Sequence, residues 1–364
     1  MIITYGTTGE LIKLAPIVRR LVDREIVPVM VCTGQQARQI NPMSDALGIP
    51  RPHLWLGRGA GGRDLERTTD IPPWGIKLAV QILRKRRDLL AVASAGGPPV
   101  VVGHGDTFTT VIGTLVGRLL GLEVVHVEAG LRSGSWKSPF PEELNRRLVS
   151  RLVQHHLCPG EEAVENLRRE HTSGVIVDTG GNTVFDNLFD PSRPLPFDVP
   201  ERFGLVSIHR FELLRRPEDL AEVLEILAGV AARDRLLFVD HPITAAAIAD
   251  HGLERFFDGD RFRRIPRQPY QDFIPLLRRS AFLVTDSGGS QEECGYLGHP
   301  CAVHRDRSER SVGLDGSVPL TGNDVSELRR FLADPGSWRR APVRMEQSPS
   351  DIVADSLATV GPAR

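Results

Sequence analysis

The stretch that most restricts what this chain can fold into is residues 100–132. Two runs rich in β-branched residues, 100–102 and 124–127, flank a segment, 109–121, whose apolar residues recur at helical spacing: Val111, Ile112, Leu115, Val116, Leu119 and Leu120. Strand, helix and strand in this order make a parallel βαβ unit, because parallel neighbours need a long crossover. Each strand run ends in a polar cluster, 103–107 and then 128–132. In open parallel sheets ligands bind beyond the carboxyl ends of the strands. Asp106 and Glu128 therefore stand where chemistry is done, not where a core is packed.

The same alternation continues on both sides. In the first half, strands are expected at 2–5, 26–33, 155–158 and 175–178, and helices at 10–22, 36–47, 74–95, 141–153 and 161–169. Pro16 is expected to kink or tighten the first helix. Leu144, Leu148, Leu152 and Val153 are expected to share one face of helix 141–153. Segment 51–74, rich in Gly, Arg and Pro, reads as a mobile surface segment. Its G-R-G-A-G-G at 57–62 fits dinucleotide-binding spacing only formally: the strand before it is short and no amphipathic helix follows, so it reads as a flexible glycine loop. Four prolines within 190–200 mark a stiff linker. Beyond it, strands are expected at 205–208, 236–239, 282–284 and 301–303, and helices at 218–232, 271–279, 290–297, 324–332 and 351–360. The pattern predicts an α/β protein of two doubly wound domains with a cleft between them.

Composition narrows the partners. A length of 364 residues suits two cores better than one. The formal net charge of -1 argues against a nucleic-acid surface. Cys32, Cys158, Cys294 and Cys301 lack metal-ligand spacing and read as buried, reduced thiols. The chain opens into an apolar strand with no visible signal peptide, and no apolar run approaches the ~20 residues that span a membrane. A cytoplasmic location is expected, with no membrane partner.

Four groups of residues carry chemistry. T-D-S-G-G-S-Q-E-E at 285–293 takes a strand end through two glycines into a helix, which makes an anion site from free N–H groups and the helix dipole. Serving as N-cap is the bland alternative for Ser287. Asp106, Glu128 and Glu142 form an acidic set able to divide acid and base roles. An acid at a helix start such as Glu142 also serves the dipole. These carboxylates could bind Mg²⁺, but no residue pattern fixes a metal, so none is predicted. His209 and His241 end adjacent strands of the second half beside the anion site, and one of them is read at a leaving phosphate. His104, His126, His155 and His156 are read as satisfied polar residues. Phe273 could stack on a base or simply pack, and Arg310 could hold phosphate or make a surface ion pair.

At these residues the chain resembles the UDP-N-acetylglucosamine 2-epimerases of GT-B type. The likeness runs nearly end to end through G-H-G-D-T-F-T-T at 103–110, H-V-E-A-G-L-R at 126–132, P-F-P-E-E-L-N-R at 139–146, T-G-G-N-T-V-F-D at 179–186, I-H-R at 208–210, the 285–293 motif, and S-E-R at 308–310. The resemblance implies two Rossmann-like domains, 1–188 and 200–345, with helix 349–361 crossing back to the first. It implies inversion at C2 of a UDP-N-acetylhexosamine by elimination of UDP to a 2-acetamidoglucal and re-addition, with no cofactor and no metal, in a homodimer. Asp106, Glu128, Glu142 and His209 correspond to the catalytic positions. Lys13, Arg210, His241, Gln268, Phe273, Ser287, Gly288, Gly289, Glu293 and Arg310 correspond to substrate- and UDP-binding positions. A hydrolysing variant that releases the free sugar and UDP, a GT-B glycosyltransferase and a non-catalytic UDP-sugar binder would use the same framework. The chain also departs from the family. G-T-R-P-E reads G-T-T-G-E at 6–10, placing Thr8 where a substrate-contacting arginine is expected. H-R-R-E-N reads H-R-F-E-L at 209–213, and H-x-N-P reads H-P-I-T at 241–244. The Gln-His pair linked to allosteric substrate binding is Gln35-Gln36, which speaks against such activation.

Overall fold

A computed structural model describes residues 1–65, 68–93, 99–134, 140–189, 194–308, 310–314 and 316–360. Residues 66–67 of segment 51–74, Ser94 and Ala95 of the predicted helix 74–95, Pro139 of the 139–146 motif, residues 190–193 of the proline-rich linker, Glu309 and position 361 lie outside them. The chain forms two compact units: Met1–Asn187 with the segment from Met345 onward, and Leu188–Arg344.

The first unit runs β1 (Ile2–Tyr5), α1 (Thr8–Asp23), β2 (Val29–Cys32), α2 (Ile40–Leu47), β3 (Leu54–Trp55), α3 (Ile71–Arg84), α4 (Arg86–Ala93), β4 (Val100–His104), α5 (Phe108–Leu120), β5 (Glu123–Val127), α6 (Glu142–Ser150), β6 (His155–Cys158), α7 (Glu161–Arg169) and β7 (Val175–Asp178). Its strands make one parallel sheet in the order β3-β2-β1-β4-β5-β6-β7. Strand order reverses between β1 and β4. Successive strand residues feed opposite faces. Ile3 joins Leu11, Leu14, Met30 and Val102 on one side. Ile2 joins Val31, Trp74, Leu78, Val101 and Val116 on the other.

The second unit runs β8 (Phe203–Ser207), α8 (Phe211–Leu214), α9 (Pro217–Ala231), β9 (Arg235–Asp240), α10 (Pro242–Asp250), β10 (Phe262–Pro266), α11 (Tyr270–Arg279), β11 (Phe282–Thr285), α12 (Gly288–Leu297), β12 (Cys301–Val303) and α13 (Val325–Ala333). Its five parallel strands order as β10-β9-β8-β11-β12, reversing between β8 and β11. The chain then returns to the first unit as α14 (Pro349–Thr359), which buries Val353, Ala354 and Leu357 with the α1 side of that core. Arg24 reaches Asp351 at 3.1 Å and Asp355 at 2.8 Å across this contact.

The two-sheet α/β architecture matches the sequence expectation, and four local expectations change. Helix α1 is continuous through Pro16. Proline lacks the N–H that would bond the Ile12 carbonyl. Asn187 Nδ2 donates to that oxygen instead, at 2.8 Å. Segment 51–74 is not wholly a surface excursion. Leu54–Trp55 extends the sheet beside Val31 and Cys32, and the Trp74 indole donates to Thr33 O at 3.1 Å. In α6 the leucines face outward, with Leu144 49% and Leu148 40% exposed, while Glu143 and Arg146 are buried. The buried pair bonds internally at 3.3 Å, so charge pairing rather than apolar periodicity sets the helix's rotation. Finally, α10 and β10 are additional. P-I-T-A-A-A-I-A-D has no amphipathic period, and F-R-R-I-P carries two arginines in an edge strand.

No helix among the described residues is long and apolar enough to cross a membrane. All four cysteines are buried and unpaired.

Two helical glycines give opposite expectations. A Cβ on Gly117 of α5 would overlap Val124 and come within 3.2 Å of Val101 Cβ, whereas a Cβ on Gly229 of α9 meets nothing within 4 Å. Gly117→Ala is expected to destabilise by about 1–3 kcal/mol through overpacking. Gly229→Ala is expected to stabilise by up to ~1 kcal/mol through helix propensity. Urea unfolding of both variants checks the pair.

Candidate active site

In the first unit the candidate residues collect where strand order reverses and on the neighbouring strand. Loop 105–107 follows β4, and Glu128 follows β5. Glu128 is 7% exposed and takes φ 65°, a left-handed conformation uncommon for a residue with a side chain. Its carboxylate is held by Lys13 Nζ from α1 and Asn182 Nδ2 from the loop after β7. Paired contacts of this kind offset the cost of burying the charge. A Cβ at Gly105 would lie 3.7 Å from Glu128 Oε1, so the two strand-end loops meet at this glycine. Asp106 pairs with Arg146 of α6, and its backbone carbonyl accepts from Asn145 Nδ2 at 2.8 Å. Glu142 opens the same helix, two residues before the exposed Leu144. The structure thus brings Asp106, Glu128 and Lys13 into one neighbourhood and anchors the Glu142 helix to it.

Glu10 ties this neighbourhood together. Its carboxyl accepts from the Gly6 and Thr7 backbone N–H groups, both at 2.9 Å, and from Thr107 Oγ1 of the β4–α5 loop at 2.7 Å. Burial pushes its pKa up to about 7 against the opposing pull of these donors. Thr8, where the resemblance implies an arginine, is buried. Its N–H and hydroxyl both donate to Gln36 Oε1, at 2.8 and 3.0 Å. Gln36 N–H in turn donates to Gly6 O at 2.8 Å. One half of the altered Gln35-Gln36 pair is therefore a tie for the β1–α1 loop.

The second unit gathers the histidines and the glycine turn at its own reversal. Asp286, after β11, accepts from His209 N–H at 3.0 Å and Arg210 N–H at 2.7 Å, both after β8. His209 Nδ1 lies 3.6 Å from Asp286 Oδ1. The His209 and His241 rings lie against each other with centroids 4.5 Å apart and planes tilted by 35°, and His241 Nε2 shares a 3.1 Å hydrogen bond with Ser207 Oγ. Burial lowers both histidine pKa values, that of His241 to about 3, with His209 and Arg267 adding to the effect there. Burial raises Asp286, while His209 and the two N–H donors oppose it.

Ser287 caps α12 by accepting from Ser290 N–H at 3.4 Å, so the bland capping role is present. A Cβ on Gly289 would meet only Ser287 Oγ, at 3.7 Å. The protein's own packing does not require glycine there, which leaves that backbone open to close approach by a ligand. Helix α12 is buried although polar. Glu292 pairs with Arg310, and Glu293 lies beside the Tyr270 hydroxyl. Gln268 Nε2 donates to Pro266 O at 2.6 Å, and Phe273 is half-buried on α11.

Asn182, Arg146, Asp286 and Glu10 are the functional candidates that residue-by-residue reading passed over. Each lies inside a stretch already singled out, but its partner is far away in sequence. Among the described residues no three His, Cys, Asp or Glu side chains converge as a metal site.

Two parallel-sheet α/β units, one bearing strand-end carboxylates and the other a glycine turn at a helix start, define a nucleotide-sugar enzyme of GT-B fold. A family model described as UDP-N-acetylglucosamine 2-epimerase matches residues 22–330. UDP-N-acetylglucosamine 2-epimerase of Bacillus subtilis is 31% identical over 351 residues, 92% of this chain and 88% of the relative. Among solved structures, a S. aureus MnaA–UDP co-structure is 26% identical with a TM-score of 0.77, covering 100% of this chain and 98% of that one. Methanocaldococcus jannaschii UDP-GlcNAc 2-epimerase in complex with UDP-GlcNAc and UDP is 25% identical with a TM-score of 0.73, covering 98% of both chains. The chain belongs to the UDP-N-acetylglucosamine 2-epimerase family and is an epimerase.

The raised Glu10 pKa has a stability consequence. An unfolded glutamate titrates near 4.5, while folded Glu10 keeps its proton to about 7. The stability due to this group is fully present below about 4.5 and is lost as pH rises through about 7. Relative to Glu10→Gln, the wild type is expected to lose on the order of 3 kcal/mol across that window. Urea unfolding of both proteins at several pH values checks it.

Proposed function

We propose that the protein inverts C2 of UDP-GlcNAc to give UDP-ManNAc without hydrolysis. The single observation that carries this is Glu128: a buried carboxylate in a left-handed backbone conformation, gripped by Lys13 and Asn182 beside the Asp106 loop. Strain of that kind persists only where its surroundings hold it, and it gathers at active sites. The route is anti elimination. A base removes the C2 proton while the C1–O bond to UDP breaks, leaving 2-acetamidoglucal and UDP. Re-addition of UDP at C1 with protonation of C2 from the opposite face gives the epimer.

Asp106, Glu128 and Glu142 act as the acid and base groups at the sugar. His209, Arg210 and His241, with the turn of Ser287, Gly288 and Gly289, stabilise the departing diphosphate. Gln268, Phe273, Glu293, Arg310 and Lys13 contact UDP, and Lys13 also fixes Glu128. In the relatives, UDP-GlcNAc and UDP are bound by the M. jannaschii protein and UDP by MnaA. We propose further that the protein acts in the cytoplasm, in line with its four unpaired cysteines.

We also propose a homodimer through first-unit helices. Ile76, Val80 and Leu83 of α3, Leu115 and Leu119 of α5, and Leu144 and Leu148 of α6 are all exposed. So many large apolar side chains on one unit are what a second copy would cover. Sedimentation equilibrium is expected to give twice the monomer mass, and Leu115→Glu with Leu119→Glu to shift it to the monomer.

Turnover in D₂O is expected to place one deuterium at C2 of both sugar nucleotides with no accumulation of free UDP, read by NMR. Asp106→Asn and His209→Ala are each expected to lower turnover by roughly 100- to 10,000-fold while thermal unfolding still shows a folded protein. Net release of free ManNAc and UDP would establish the hydrolysing reaction instead.

A further inference from the structure

We propose that His126 is a positioning residue for the epimerisation: its imidazole fixes the peptide between Gly105 and Asp106, and through it the relative placement of the Asp106 and Glu128 carboxylates. This rests on the reading of those two carboxylates as the acid and base groups.

His126 sits on β5 and is 1% exposed. Its Nε2 lies 2.7 Å from the Gly105 carbonyl oxygen. A carbonyl can only accept, so Nε2 carries the hydrogen. Among the described residues Nδ1 has no hydrogen-bond partner, so the neutral ring is the Nε2–H tautomer. The groups facing the ring divide: the two neighbouring histidines favour the neutral form, and Glu128 opposes it. His104 comes from β4, His156 stands beside it on β6, and Glu128 lies two residues along. Burial lowers the His126 pKa to about 3, and the two histidines push the same way.

The carbonyl it holds is placed to matter. Gly105 O and Asp106 N–H belong to one peptide plane, so a fixed oxygen fixes how Asp106 leaves the strand. On its other side Gly105 N–H donates to Val127 O at 2.9 Å, the residue before Glu128. Gly105 takes φ 67°, and a Cβ there would lie 3.7 Å from Glu128 Oε1. No other residue type fits this turn without backbone strain. One neutral ring thus clamps a glycine that precedes one of the two proposed acid and base residues in the chain and lies against the other. Proton transfer is steep in geometry, and a shift of about 1 Å can cost ~100-fold in rate.

The test uses the full chain with UDP-GlcNAc. His126→Leu keeps bulk and removes the donor, while His126→Gln can return an amide N–H to the same carbonyl. Positioning predicts that the leucine variant loses roughly 10- to 100-fold in kcat with KM changed less than about 3-fold. The glutamine variant should recover to within about 5-fold of wild type. Calorimetric UDP binding should stay at the wild-type level in both. Wild-type kcat in the leucine variant, or an equal loss in both variants with UDP binding intact, would overturn the proposal. If the leucine variant does not fold, the glutamine variant decides: kcat within 5-fold supports the clamp, and a 100-fold loss sinks it. A readout independent of turnover is ¹⁵N NMR of the wild-type imidazole, expected to show a neutral Nε2–H ring from pH 5 to 9. A ring that titrates in that range overturns the clamp, whereas wild-type protein without turnover would sink the epimerase reading and leave the ring's signal unchanged.

Discussion

A buried acid bridging two diverging loops is the interaction on which each unit depends. A parallel sheet whose strand order reverses sends neighbouring loops apart and leaves a crevice at its carboxyl edge. The crevice is useful only if its walls are fixed. In the first unit Glu10 accepts from the β1–α1 loop and from Thr107 after β4. In the second, Asp286 accepts from the two backbone N–H groups after β8. Both acids are buried, so each needs its donors as much as the donors need it. The same physical device recurs at both reversals although the sequences around them share no motif.

Much of the fold was legible because parallel strands buried on both faces read as continuous β-branched runs. Strand β1 is such a run, whereas β6 (H-H-L-C), the largely exposed edge strand β7 and β12 were legible through their alternation with helices such as α7. Legibility failed where another force outweighed apolar periodicity. Helix α10 is nearly uniform in alanine and presents no stripe to read. Strand β10 carries Arg263 and Arg264, and Arg264 is drawn to Asp240 at 2.7 Å, a pairing invisible without the neighbouring strand. Helix α6 buries Glu143 and Arg146 and turns its leucines outward, so the expected face was the wrong one. Pro16 looks like a helix breaker only until Asn187, distant in sequence, is seen to satisfy the freed carbonyl.

The site shows a similar division. Strand-end position alone singled out Asp106, Glu128, His209 and His241. What residue types could not convey is which groups hold them. Asn182, Arg146 and Glu10 are ordinary polar residues in sequence and become informative only through partners 54, 40 and 97 positions away. Two of the longer motifs carried this information implicitly, since 139–146 contains Arg146 and 179–186 contains Asn182.

Thr8, where the resemblance implies an arginine, shows how the β1–α1 loop is held. A guanidinium at this place would have to leave the buried position that Thr8 occupies, because an unpaired buried charge is costly. Threonine stays in, and both of its donors end on one oxygen of Gln36. Gln36 also donates back to Gly6, whose N–H is bound by Glu10. The loop therefore closes on itself through two side chains instead of projecting a charge outward. The β1–α1 turn presents no cation at this position, and it stands next to the Glu10 and Lys13–Glu128 contacts.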